Sequence, residues 1–239
     1  METPPIGTPE PAPSLPPLRP APEPLPPDAS ALHKLIRAPE ALLGEVESRG
    51  GTRMLGVLLL LALGGHLAYG LVLGSFTGGM QWWASPLKSA LGAALVGAIC
   101  LPSLFIFSVF SGADVRGRHV LGLVLGQLAL TGVFLAGFAP VAWVFTQSST
   151  LVSFAGAIHL LVWFVSMVAG GRVVHASLRH WKARTATWAT LWVLILVLTA
   201  AQMMTTLRPL VGSGEELFQS ERRFFLQHWV LTMQADARR

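Results

Sequence analysis

The sequence contains no Asp, Glu, Lys or Arg between Arg118 and Arg172. Across the whole chain only 12% of the residues are charged, whereas soluble domains have roughly a quarter. The hydrophobic share is 52% and the mean hydropathy is +0.57. These values exclude a soluble globular protein, because such a protein needs far more charged surface.

The residues and motifs that enzymes commonly use are also missing. Cys100 is the only cysteine, so the chain can form no internal disulfide and has no cysteine pair for a structural zinc site. The sequence contains no P-loop, no HExxH motif, no nucleophile elbow and no paired carboxylates. We therefore predict no catalytic residues, no cofactor and no metal ligands, and a protein that is not an enzyme.

A long uncharged stretch is the main feature that is present. The stretch between Arg118 and Arg172 is roughly twice the ~20 apolar residues that one membrane crossing needs. It must therefore cross the membrane twice, and the polar residues 146–150 in its middle predict the turn between the two helices.

Five apolar segments together predict an all-α, polytopic transmembrane helix bundle with amphipathic juxtamembrane helices. We expect spans at residues 53–76, 87–110, 120–145, 151–170 and 187–207, with a kink near Pro102 in the second span and a loop carrying Trp82 and Trp83 before it. The predicted domains are a proline-rich disordered tail (1–30), an amphipathic segment (31–52), the transmembrane domain (53–210) and an amphipathic C-terminal tail (211–239).

The segment before the first span has apolar and charged residues at helical spacing, and Pro39 predicts that the helix divides or restarts there. One interpretation is a helix that lies on the membrane surface. The alternative is a docking surface for a cytosolic or membrane protein partner, for which Leu35, Ile36 and Arg37 are the candidate residues.

Basic residues flank alternate ends of the predicted spans. Arg49 and Arg53 precede the first span, Lys88 alone follows it, and none lies between the third and fourth. The second and third spans are separated by Arg116 and Arg118, and the fourth and fifth by Arg172, Arg179, Lys182 and Arg184. Because positive charge favours the cytoplasmic side, this pattern predicts a cytoplasmic amino terminus and an extracytoplasmic carboxyl terminus.

The same basic residues explain the net charge of +5, so we predict no nucleic-acid partner. The loop at residues 172–184 is the most basic one, and Arg172, Arg179, Lys182 and Arg184 are its candidate binding residues. The bilayer supplies the simplest partner, since anionic lipid headgroups attract such clusters. An acidic soluble protein is the alternative.

The uncharged polar residues inside the predicted spans that could carry a function are His66, Tyr69, Gln127, Thr131, His159 and Gln202. The simplest interpretation is hydrogen bonding between helices. His66 and His159 both fall near mid-span, so haem or metal binding, or the sensing of protons, is an alternative. A water-lined path for a solute past His66, Gln127, His159 and Gln202 is another.

Glycines recur at packing distance in two spans, as Gly70 with Gly74 and Gly122 with Gly126. Pairs at this spacing let helix backbones approach closely in lipid. We expect them to pack helices within the chain, and a homo-oligomer seam is the alternative.

Three short stretches carry a resemblance to known proteins: LIRAPE at residues 35–40, LPSLF at 101–105 and LRPLVGS at 207–213. Together they resemble a group of bacterial multi-span inner-membrane proteins. The resemblance covers about residues 31–225 and implies a bacterial inner-membrane location and a five-helix layout. It implies no catalytic residues.

These features predict a regulatory or scaffolding protein that holds a cytosolic partner at the membrane. A specific form would be an anti-sigma-type negative regulator of transcription. The alternative is the membrane subunit of a transporter, or a small-solute channel, although the absence of carboxylates from the spans argues against a secondary transporter.

Overall fold

The computed structural model describes residue 26 and residues 29–48, 50–148, 152–181 and 187–206. Its seven helices are α1 (Ala31–Arg37), α2 (Pro39–Glu47), α3 (Gly51–Thr77), α4 (Gln81–Phe110), α5 (Gly117–Gln147), α6 (Val152–His180) and α7 (Thr187–Thr206). These described residues contain no strand. Helices α3 to α7 are long and apolar enough to cross a membrane, which indicates a multi-pass membrane protein and confirms the predicted fold class.

Helix α5 forms the centre of the bundle. It packs mainly against α3 and α6, α3 also packs against α4, and α7 packs mainly against α4. The α3–α5 contact is close because two glycines face each other, and a Cβ on Gly65 would lie 2.6 Å from the Gly132 Cα. Without side chains at this crossing, the two backbones come into direct contact.

The predicted glycine pairs also pack within the chain. A Cβ on Gly70 would lie 2.9 Å from the Pro86 nitrogen of α4, and one on Gly126 would lie 2.9 Å from Val173 Cγ1 of α6. Gly74 likewise lies against α4, at Gln81. The expected intramolecular packing is therefore confirmed at these positions, and a homo-oligomer would need another surface.

Two predicted helix boundaries were wrong. Helix α4 starts at Gln81, directly after a tight turn with Gly78 at φ 72° and Gly79 at φ 55°, so Trp82 and Trp83 are helical. Helix α6 continues to His180, which makes Arg172 and Arg179 helical as well. Polar and aromatic residues end the apolar stretch at the headgroup region, but they are compatible with a continuing helix.

One end of the bundle, here called the basic end, combines the start of α3, the end of α4, the start of α5, the end of α6 and the start of α7. Of the charged residues that the structure describes, Lys88 alone lies in the other half, buried within α4. Arg49, Lys182, Arg184 and the segments 1–25 and 211–239 lie outside the described residues.

Helices α1 and α2 fold back on each other and cover the basic end. Helix α1 ends at Arg37 and α2 begins at Pro39, so the predicted restart at this proline is confirmed. The apolar face of this helical hairpin is buried, with Leu35 and Val46 at 0% exposure and Leu42 at 2%. It packs against α3, α5 and α6, so the protein itself covers most of the amphipathic face.

Candidate functional site

Three buried polar side chains from three helices form a hydrogen-bonded cluster far from the basic end. The hydroxyl oxygen of Tyr69, on α3, lies 2.8 Å from Nδ1 of His159, on α6. Thr146 Oγ1, at the end of α5, lies 3.0 Å from His159 Nε2. Exposure is 2% for Tyr69, 0% for Thr146 and 5% for His159, so the cluster is closed to its surroundings.

The direction of these hydrogen bonds follows from the threonine. The Thr146 hydroxyl donates to the Ala142 carbonyl at 2.6 Å, so its remaining capacity toward His159 is as an acceptor. His159 therefore carries its proton on Nε2 and accepts the Tyr69 hydroxyl proton at Nδ1. In this arrangement a neutral imidazole has both nitrogens satisfied, as buried polar groups in a membrane require.

The other three buried residues of the predicted set, His66, Gln127 and Thr131, have partners outside this cluster. His66 Nδ1 lies 2.8 Å from the Ala62 carbonyl of its own helix. Gln127 donates from Nε2 to the Met167 carbonyl of α6 at 3.0 Å, and Thr131 donates to the Gln127 carbonyl at 2.8 Å. His66 and His159 therefore bond to different groups and do not share a site in this structure.

Gln202 differs from the other candidates because it lies on the exposed surface of α7, while His66, Gln127 and His159 are buried. The four residues therefore do not line a single path through the bundle. Within the described part of the chain, no three His, Cys, Asp or Glu side chains are grouped as metal ligands would be.

A second polar site fastens α2 to the bundle at the basic end. The His119 Nε2 atom of α5 lies 2.7 Å from the Glu47 carboxylate of α2. The backbone N–H of Arg116 donates to His119 Nδ1 at 3.1 Å, so Nε2 carries the proton that Glu47 accepts. The His119 ring also stacks on Trp181, with the ring centroids 4.9 Å apart.

The predicted partner-binding residues of α1 divide into buried and exposed ones. Leu35 packs into the core at 0% exposure, so it contacts the bundle and not a partner. Ile36 is 39% exposed, and Arg37 is exposed as well. Arg172 and Arg179 are exposed on α6.

Sequence reasoning missed several of these contacts. Thr146 falls in the predicted turn, and the sequence pattern predicts no contact among Glu47, His119 and Trp181. Their positions in the sequence give no pairing signal, because Glu47 and His119 lie on different helices and meet only when α2 folds back. Buried Lys88 could have been suspected, since a charged residue within an apolar helix needs a specific environment.

Comparison with known proteins found no matching family model, no matching curated protein and no matching solved structure. The resemblance to bacterial inner-membrane proteins therefore stays a prediction.

Proposed function

We propose that this protein is a non-enzymatic regulatory or scaffolding protein of a bacterial inner membrane, and that its basic end holds a cytosolic partner. The observation that carries the proposal is the fixed position of the α1–α2 hairpin. One face of the hairpin is anchored in the bundle, through Leu35, Leu42 and Val46. The opposite face is thereby presented away from the bundle.

The presented face has the composition of a small docking surface. Leu32 and Ile36 are one helical turn apart on α1 and are 42% and 39% exposed. Exposed Arg37 follows them directly. Apolar side chains at i and i+4 beside a basic residue are suited to an amphipathic helix of a partner with acidic flanks. An anti-sigma-type regulator, which sequesters a transcription factor at the membrane, is one specific form of this function.

The proposed orientation places the basic end in the cytoplasm. Arg53, Arg118, Arg172 and Arg179 all lie at this end, and the positive-inside rule assigns such an end to the cytoplasmic side. Helices α3 to α7 are each long and apolar enough to cross a membrane, and an odd number of crossings puts the carboxyl terminus on the other side in the proposed orientation.

Site-specific photo-crosslinking in intact cells tests the docking proposal. A photoreactive residue at Ile36 should give a discrete cross-linked product with a cytosolic protein. Met80 has the same 39% exposure at the opposite end of the bundle, so it is the matched control and should not give this product. The double variant Leu32→Glu/Ile36→Glu should lose co-purification of the cross-linked protein. If its yield is unchanged, α1 is not the docking surface.

Cysteine labelling tests the orientation separately. In a Cys100→Ala background, Gly44→Cys adds a thiol on α2 where a Cβ meets nothing within 4 Å, and Met80→Cys adds one at the other end. A membrane-impermeant maleimide applied to spheroplasts should label the thiol at position 80 only. Labelling of position 44 alone would reverse the orientation and move the docking surface out of the cytoplasm.

A further inference from the structure

A groove with a volume of about 560 Å³ opens on the side of the bundle near the basic end. It lies between α6 and α7, which contact each other less than most neighbouring helices of the bundle. On α6 the lining residues include Phe164, Val168, Arg172 and Arg179, whose spacings of four, four and seven keep them on one helical face. The groove thus runs along the helix axis, from the apolar middle of α6 to its basic end.

The inner half of the groove is apolar and uncovered. Phe164 and Val168 of α6 are each 50% exposed, and Leu194 of α7 is 52% exposed. All three line the groove, so the half nearest the membrane centre is a concave hydrocarbon surface. The length of this apolar half suits an acyl chain. The helical rise places Phe164 about 12 Å from Arg172 along the axis of α6, so the apolar half lies within one leaflet.

The outer half of the groove is cationic. Arg172 and Arg179 enter from α6, and Arg37 enters from α1 across the mouth, with Glu40 as the acidic residue of the lining. Within the residues that the structure describes, none of the three guanidinium groups has an ion-pair or hydrogen-bond partner. Three arginines against one glutamate leave two positive charges that the described protein does not neutralise.

A histidine holds the two walls together at this depth. His175 Nδ1 lies 2.9 Å from the Gly171 carbonyl, and Nε2 lies 3.0 Å from the Thr190 hydroxyl of α7. Because a carbonyl only accepts, Nδ1 donates to Gly171, and the contact of Nε2 with Thr190 joins α6 to α7. The three arginines supply the fixed positive charge of the groove.

We propose that this groove is a binding site for one anionic phospholipid of the surrounding bilayer. The phosphate lies between Arg172, Arg179 and Arg37, and one acyl chain follows the surface formed by Phe164, Val168 and Leu194. The charge of the outer half and the apolar character of the inner half match the two parts of such a lipid in the order in which the bilayer presents them. The proposal does not depend on the docking role of α1.

Lipid retention by the full chain tests the site. Protein purified in mild detergent is given equal amounts of phosphatidylglycerol and phosphatidylcholine, and bound lipid is counted by native mass spectrometry. The wild type should retain one phosphatidylglycerol with roughly 30-fold preference, the value expected for two uncompensated basic residues. Arg172→Gln/Arg179→Gln should abolish that preference, while Arg53→Gln/Arg118→Gln, which removes the same charge at the same end but outside the groove, should keep it.

The acyl half has its own variant. Val168→Trp fills the groove and should displace the lipid, whereas Leu161→Trp changes an exposed residue of the same helix that is not in the lining and should not. Equal loss in both arginine variants would leave only general surface attraction and overturn the proposal. Unchanged retention in Val168→Trp, equal retention of both lipids, or displacement by millimolar inorganic phosphate would each overturn it as well.

Discussion

The central helix α5 and the peripheral helix α7 are almost equally apolar, yet they have different neighbours. Their most apolar windows have mean hydropathies of 2.0 and 1.7, but 67% of the α5 window is buried in the protein against 22% for α7. Apolarity therefore assigns both helices to the membrane, but it does not determine which of them lies in the centre of the bundle. Lipid is as apolar as a leucine side chain, so the contact between helices must come from other features.

The two helices use different features to make contact. Helix α5 has glycines and hydrogen-bonding side chains on its faces, including Gly132 at α3 and Gln127 at α6. Helix α7 has one large anchor, Trp192, which is fully buried and donates to the Cys100 carbonyl of α4 at 3.1 Å. Many close backbone contacts therefore hold α5, while the largest buried side chain of α7 is that of Trp192.

The largest loss of stability is expected at the crossing of α3 and α5, where two backbones meet. Gly65→Val places a side chain against the Gly132 backbone, which cannot move aside as a flexible side chain would. Even where neighbours can adjust, such overpacking costs about 1–3 kcal/mol or more, so we expect the variant to yield no folded monomer by size-exclusion chromatography and thermal unfolding. Gly64→Val is the matched control because a Cβ at Gly64 meets nothing within 4 Å. Equal behaviour of the two variants would contradict the central position of the α3–α5 crossing.

The next largest loss of stability is expected at Trp192, the buried anchor of α7. Trp192→Ala removes a buried indole and its hydrogen bond, and truncations of this kind typically cost about 3 kcal/mol. The control is Trp188→Ala on the same helix, since Trp188 is only partly buried and stacks on Phe107 with the centroids 5.6 Å apart. Thermal unfolding should show a clearly larger loss of stability for Trp192→Ala than for Trp188→Ala. Similar losses would mean that the whole face of α7, and not one side chain, holds it.

A smaller effect is expected for the buried polar cluster. Tyr69→Phe removes the donor to His159 and should cost about 1 kcal/mol. Thr146→Val removes the other partner of the same ring, so the double variant should deviate from the sum of the two single ones. Ser75→Ala is the control, because the Ser75 hydroxyl donates to the Val72 carbonyl of its own helix. Strict additivity would indicate that the three side chains do not act as one network.

The membrane-spanning helices could be predicted from the sequence because the hydrocarbon of the bilayer determines where such helices form. A stretch without charge has to lie in hydrocarbon and satisfy its backbone internally, which leaves the helix as the available form. Local chemistry was equally informative at Pro39, which starts α2 as predicted. Here the cause lies within a few residues of its effect.

The contacts of the candidate sites could not be predicted in this way. Tyr69 and His159 are 90 residues apart in the sequence, and their pairing depends on how α3 and α6 are rotated around α5. The lining of the groove likewise combines α6 and α7 with Arg37 of α1. Hydropathy and charge specify neither rotation nor the folding back of the hairpin, because both depend on side-chain packing.

The smallest loss of stability is expected at the Glu47–His119 contact between α2 and α5. This contact is polar, whereas the Trp192 contact of α7 is aromatic. Glu47→Ala removes the acceptor for His119 Nε2. The Glu47 side chain is 49% exposed, so the change in overall stability should be only a few tenths of a kcal/mol. Hydrogen exchange should nevertheless become faster in the amides of α1 and α2 alone, since a weaker contact lets the hairpin open locally while α3 to α7 stay packed. Glu40→Ala removes a carboxylate from the same helix without touching His119. If both variants accelerate exchange equally, the buried face of the hairpin fastens it without help from Glu47.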